Sequence, residues 1–146
     1  RGTGDMYPWH TSRPCERAKK SHINFAVFDS TWEASEAYTL DESRLVTAWA
    51  KNDHLGFEIL YTFAGGVRKY QPDYLVRLAN DVMLVLEVKG QDSEENRIKR
   101  RYLDEWIEAV NLHGGFGRWV ADVSFDPADV HDILTKHVPG KAKKTA

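Results

Sequence analysis

At 146 residues, 42% of them hydrophobic and with five tryptophans, the chain suits one domain with a real core, and its formal net charge of −2 gives no global pull toward nucleic acid. The single Cys15 excludes a disulfide framework or a multi-cysteine zinc site and points to a reducing, cytoplasmic compartment. No apolar run approaches the roughly 18 residues of a membrane span and no signal peptide is legible, so no membrane partner is expected.

Residues 1–20 read as an irregular extension punctuated by Gly2, Gly4, Pro8 and Pro14, with Tyr7 and Trp9 on the surface or against a missing neighbour. The opening at Arg1 rather than Met suggests a piece of something longer. Arg17, Lys19 and Lys20 form a short basic cluster of the kind found in solvated linkers. A short strand is expected at 23–28. Asp29-Ser30-Thr31 then offers N-cap chemistry, and Glu33 falls in the favourable first turn of a helix over 31–40. A second helix is expected at 42–52, with Leu45, Val46 and Trp49 on one face. Residues 57–63 alternate as the first strand of a meander that turns at Gly65-Gly66.

The stretch from Tyr70 to Gly90 is the most informative. It reads as two strands, 73–78 and 82–89, joined at Ala79-Asn80-Asp81, where Asn and Asp tolerate the positive φ of a tight turn. A hairpin centred on Asn80 pairs position i with 160 − i, so Asp73 falls opposite Glu87. Cross-strand partners have Cβ atoms roughly 5 Å apart, so two carboxylates meet at the hairpin end. Lys89, two residues on, points to the same face. Glu87 also ends the apolar run 82–86, which reads as a buried central strand. Two acids and a lysine gathered there make a candidate site for a hard cation such as Mg²⁺, which keeps waters and takes few protein oxygens.

Ser93 is a plausible N-cap for a helix over 94–112, whose Ile98, Leu103, Trp106, Ile107 and Val110 form a stripe that should pack on the sheet. Arg97, Lys99, Arg100 and Arg101 on the flanking positions make the densest basic cluster of the chain, either a solvated helix face or a set of phosphate contacts. A strand at 119–125, a helix at 128–137 and a disordered basic tail over 139–146 complete the chain. Six scattered histidines (His10, His22, His54, His113, His131 and His137) lack zinc-enzyme spacing, and no G-x-x-x-x-G-K-[S/T] loop occurs. The expected order is α–α–β–β–β–α–β–α, one sheet with helices on its faces.

That order, with Pro72-Asp73 and Glu87-Val88-Lys89, resembles the PD-(D/E)xK nuclease superfamily. Ser21-His22-Ile23-Asn24, Asp29-Ser30-Thr31-Trp32-Glu33, Lys51-Asn52 with Leu55-Gly56-Phe57, Tyr70-Gln71-Pro72-Asp73 and Gly117-Arg118-Trp119 are similar to the C-terminal endonuclease region of type III restriction enzyme subunits and related helicase–nuclease proteins. The resemblance covers about residues 21–123. It implies an α/β (α+β, mixed-sheet) fold with a restriction-endonuclease-like α-β-β-β-α-β core at 21–138, helices lying on both sheet faces. It implies that Asp73 and Glu87 bind Mg²⁺, with Mn²⁺ as substitute, that the Val88 carbonyl is a further ligand and that Lys89 positions water. Glu33 matches an acid that many members add from the first helix, with Glu36 one turn on as competitor, and Gln91 could reach phosphate or metal-bound water.

The activity so implied is hydrolysis of DNA phosphodiesters in the cytoplasm of a bacterium or archaeon. An ATP-driven helicase motor would lie N-terminal on the same or a partner polypeptide, with a methyltransferase or specificity subunit as further partner. The alternative expectation is a non-cleaving module of the same fold that docks DNA or a partner through Trp9, Trp32 and the 97–101 face.

Overall fold

The structure, a computed structural model, describes residues 10, 12–13, 15–21, 25–27, 31–53, 55–89 and 91–142. Tyr7, Trp9, His22, His54, the cap expected at Asp29-Ser30, and Gly90 lie outside them. In chain order the elements are β1 (Cys15–Arg17), β2 (Phe25–Val27), α1 (Thr31–Glu42), β3 (Val46–Lys51), β4 (Ile59–Phe63), β5 (Gly66–Tyr70) and β6 (Tyr74–Leu78). They continue as β7 (Met83–Val88), α2 (Glu94–His113), β8 (Trp119–Ser124), α3 (Asp129–His137) and α4 (Pro139–Ala142). The fold is mixed α/β: a mixed sheet flanked by helices.

Among the described residues the central sheet runs β3-β6-β7-β8, antiparallel across its first two pairs and parallel between β7 and β8. A parallel pair needs a long crossover, which α2 provides. The β6–β7 hairpin has the register read from the sequence, with Tyr74 opposite Leu86 and Arg77 opposite Met83. Its turn closes where expected, Asp81 adopting a φ of 65° and donating its N–H to the Leu78 carbonyl. Alternation along these strands sends Val76, Leu78, Leu84 and Leu86 to one face and Leu75 and Val85 to the other.

On the first face, α1 and α3 bring Ala37, Leu40, Val130, Ile133 and Leu134 against the sheet. On the second, α2 and the β4–β5 hairpin bring Leu103, Ile59, Tyr61 and Tyr70. Each fully buried Leu or Val contributes roughly 1.5–3 kcal/mol through the water it leaves. Leu103 is the buried centre of the predicted α2 stripe, whose helix begins with the Ser93 side chain accepting the Asn96 N–H and ends at Gly114, φ 77°. Among the described residues no helix is long and apolar enough to cross a membrane.

Four expectations are corrected. Residues 46–51, read inside a helix, form β3 against β6. The spacing of Leu45, Val46 and Trp49 fits a helix face and a strand edge alike, and pairing with a buried neighbour decided it. Among the described residues the expected single sheet is three: β4 and β5 pair there only with each other, as do β1 and β2. Residues 15–17, read as irregular, form β1 opposite β2. Within the supposedly disordered tail, Pro139–Ala142 form the short helix α4.

Candidate active site

Asp73 precedes β6 and Glu87 lies near the end of β7, and the observed register sets them beside each other. Asp73 Oδ2 accepts the Val88 N–H at 2.8 Å, which fixes its carboxylate across the hairpin end. The Asn52 N–H donates to the Asp73 carbonyl at 2.8 Å and ties the end of β3 to the same place. Glu87 is 1% exposed. The Lys89 ammonium stands 3.0 Å from its Oε2 as an ion pair lying off a hydrogen-bond axis. By hydrogen-bond geometry, both Glu87 oxygens lack a partner among the described residues.

Burial first, and then the neighbouring Glu87 charge, pushes the Asp73 carboxyl up to about 7, against the Val88 N–H and the Lys89 charge. A half-buried carboxylate held beside a fully buried one keeps its charge only at a cost, so Asp73 calls for a proton or a cation. That donor set suits a hard divalent ion that asks for one or two carboxylates. The same chemistry marks Tyr70, the last residue of β5. Its hydroxyl is buried without a hydrogen-bond partner among the described residues. Burial and the Glu87 charge push its pKa up.

Glu33 does not join the pair. Its Oε2 lies 3.6 Å from Lys51 Nζ, which also meets Asp53 at 3.4 Å. Among the described residues no three His, Cys, Asp or Glu side chains converge on a common point. Glu36 is the deeper acid of α1, 0% exposed, with Oε1 accepting from Trp32 Nε1 at 2.9 Å and lying 3.3 Å from Ser124 Oγ. Ser124 also donates to the Asp126 carbonyl at 2.7 Å. Its one hydrogen goes to the shorter bond, so a protonated Glu36 can donate to Ser124 in return. Burial pushes Glu36 up to about 7 in spite of the Trp32 and Ser124 bonds.

The basic cluster of α2 has partners of its own. Arg100 makes a bidentate pair with Asp92, both contacts 2.9 Å, and its guanidinium lies 5.9 Å from the Phe125 ring centre. Lys99 Nζ is 5.6 Å from the Tyr61 ring centre and 5.8 Å from that of Tyr70. Arg101 stacks over Tyr102 at 5.6 Å. Arg97 and Gln91 are exposed, and the Gln91 carbonyl accepts from Asn96 Nδ2. The sequence brings Asp73, Glu87, Val88 and Lys89 together, while Glu33 and most of the basic run are engaged elsewhere.

Sequence reasoning assigned no role to Tyr70 or Ser124. The signal for Tyr70 was its place at the end of a strand three residues before Asp73; Ser124 had none. No family model, curated protein or solved structure matches the chain.

Proposed function

We propose that the chain is a metal-dependent DNA endonuclease domain that hydrolyses phosphodiester bonds at the β6–β7 hairpin end. The observation that carries this reading is the half-buried Asp73 beside the buried Glu87, with both Glu87 oxygens unpartnered among the described residues and Lys89 at 3.0 Å. The order α1-β3-β6-β7-α2-β8, with the β4–β5 hairpin set aside as an insertion, follows the α-β-β-β-α-β core of the PD-(D/E)xK superfamily and supports the reading.

In this account Asp73 and Glu87, with the Val88 carbonyl, would hold a Mg²⁺ or Mn²⁺ ion. Such an ion supplies an acidified water and positive charge against the phosphate. The Val88 N–H holds Asp73 Oδ2 at 2.8 Å and so fixes the carboxylate at the hairpin end without any cation. Lys89, partly open to solvent and tethered by Glu87, orients the attacking water and offsets negative charge gathering on the phosphate. A motor and a specificity subunit would deliver the DNA.

The test is nicking of supercoiled plasmid with Mg²⁺ or Mn²⁺, with an EDTA control, by the protein and its Lys89→Ala variant. Cutting should require metal and fall at least about 100-fold in the variant. Cutting by Lys89→Ala at the wild-type rate sinks the assignment. If neither protein cuts, metal titration into wild type and Asp73→Ala separates an idle nuclease from a binding module, because only a built site loses its metal with that carboxylate.

A further inference from the structure

Tyr70 ends the β4–β5 hairpin three residues before Asp73, and its hydroxyl is buried. It pairs with Ile59 at the open end of the hairpin, and its ring is packed with Ile59, Tyr61, Val85 and Leu103. The packing fixes the ring, and Lys99 lies over it. Glu87 follows Val85 by two residues on the same face of β7, so the hydroxyl end of the ring is held on the Glu87 side of the sheet. The hydroxyl and both Glu87 oxygens are buried without a hydrogen-bond partner among the described residues. Buried donors and acceptors left without partners on one side of a sheet are unusual, since nearly all such groups find partners in folded proteins.

A phenylalanine would fill the same apolar slot without burying an oxygen. The hydroxyl therefore needs a reason beyond packing. A carboxylate that gives one oxygen to a cation leaves the other in need of a donor, and groups that bond the outer side of a metal ligand fix its direction and its affinity. A tyrosine hydroxyl, with an ordinary pKa of about 10, stays a donor across the working range, so it can serve a carboxylate without adding charge of its own.

We infer that Tyr70 is a positioning residue that donates its hydroxyl hydrogen to Glu87 when that carboxylate takes up a divalent cation. The inference rests on the metal-site reading given above. It also gives the inserted hairpin a purpose: the insertion delivers one hydroxyl to the second face of the sheet.

The experiment is calorimetric titration of Mn²⁺ into the full chain, its Tyr70→Phe variant and its Asp73→Asn variant, alongside thermal melts of each without metal. Tyr70→Phe should bind Mn²⁺ about tenfold more weakly, while its metal-free Tm stays the same or rises, since the change removes a buried hydroxyl that lacks a partner. Equal Mn²⁺ affinity in wild type and Tyr70→Phe overturns the inference, whatever the Tm does. Tight binding by wild type but not by Asp73→Asn leaves the metal site standing in that case, so the two failures are told apart. No binding by any of the three overturns both.

Discussion

Glu36 and Glu87 are both acids with essentially no exposed surface, 0% and 1%, and they serve opposite faces of one sheet. Glu36 lies under α1, where Trp32 donates to it and the Ser124 hydroxyl stands close by. Glu87 lies under α2 and the β4–β5 hairpin, with an ammonium beside it and no completed hydrogen bond among the described residues. Burial is the same and the surroundings differ. Glu36 holds one tryptophan N–H and is built into the core, although its Oε2 is unpartnered among the described residues; Glu87, beside a second acid and a lysine, completes no hydrogen bond there at either oxygen.

The contrast is broken most forcefully by removing each acid in turn. At pH 6 in EDTA, Glu36→Ala should lose about 2–4 kcal/mol through the cavity and the stranded Trp32 N–H. At pH 8.5 in EDTA, where Asp73 has lost the proton it holds up to about pH 7, Glu87→Gln should gain about 1–2 kcal/mol, because it ends the repulsion with Asp73 and adds a donor. Urea unfolding curves give both values, and two changes of the same sign would erase the distinction.

A smaller effect sharpens it through pH. An acid whose pKa rises on folding contributes stability that is complete below its unfolded value near 4.5 and is lost as pH climbs through the folded value of about 7. Wild type should therefore lose stability between pH 5 and 8. Glu36→Gln, a permanent mimic of the protonated acid, should flatten that slope by up to about 3 kcal/mol. Matched slopes in the two proteins would mean that Glu36 keeps its charge. The least effect belongs to the surface: Arg100→Ala breaks a partly exposed pair with Asp92 and should cost under about 1 kcal/mol, with the difference shrinking in 1 M salt.

What could be read in the sequence was local. The β6–β7 hairpin carries its register in its own turn, so Asp73 opposite Glu87 followed from Asn80-Asp81 and the period of two. The cap at Ser93 and the stop at Gly114 are equally self-contained. The misread segment, β3, has no such punctuation, and its partner lies 23 or more positions along the chain (74 − 51). The separation of β4–β5 from the main sheet was invisible for the same reason: Gly65-Gly66 announces a turn but not the surface on which the hairpin lands. Choosing between Glu33 and Glu36 needed tertiary contacts, since three residues on a helix place both near one face. Only Lys51 on one side and Trp32 with Ser124 on the other settle where each carboxylate goes.

The parallel β7–β8 pair carries a consequence for the order of assembly. A hairpin closes in microseconds over a few residues, whereas β8 can dock only after the 20 residues of α2 have crossed the sheet. Asp73 and Glu87 therefore come into contact while water still reaches them, and their repulsion tightens as each later layer excludes that water. The carboxylate pair is thus also a point of frustration along the folding route. On the metal-site proposal, a divalent ion present during synthesis would ease the chain's passage to the native state.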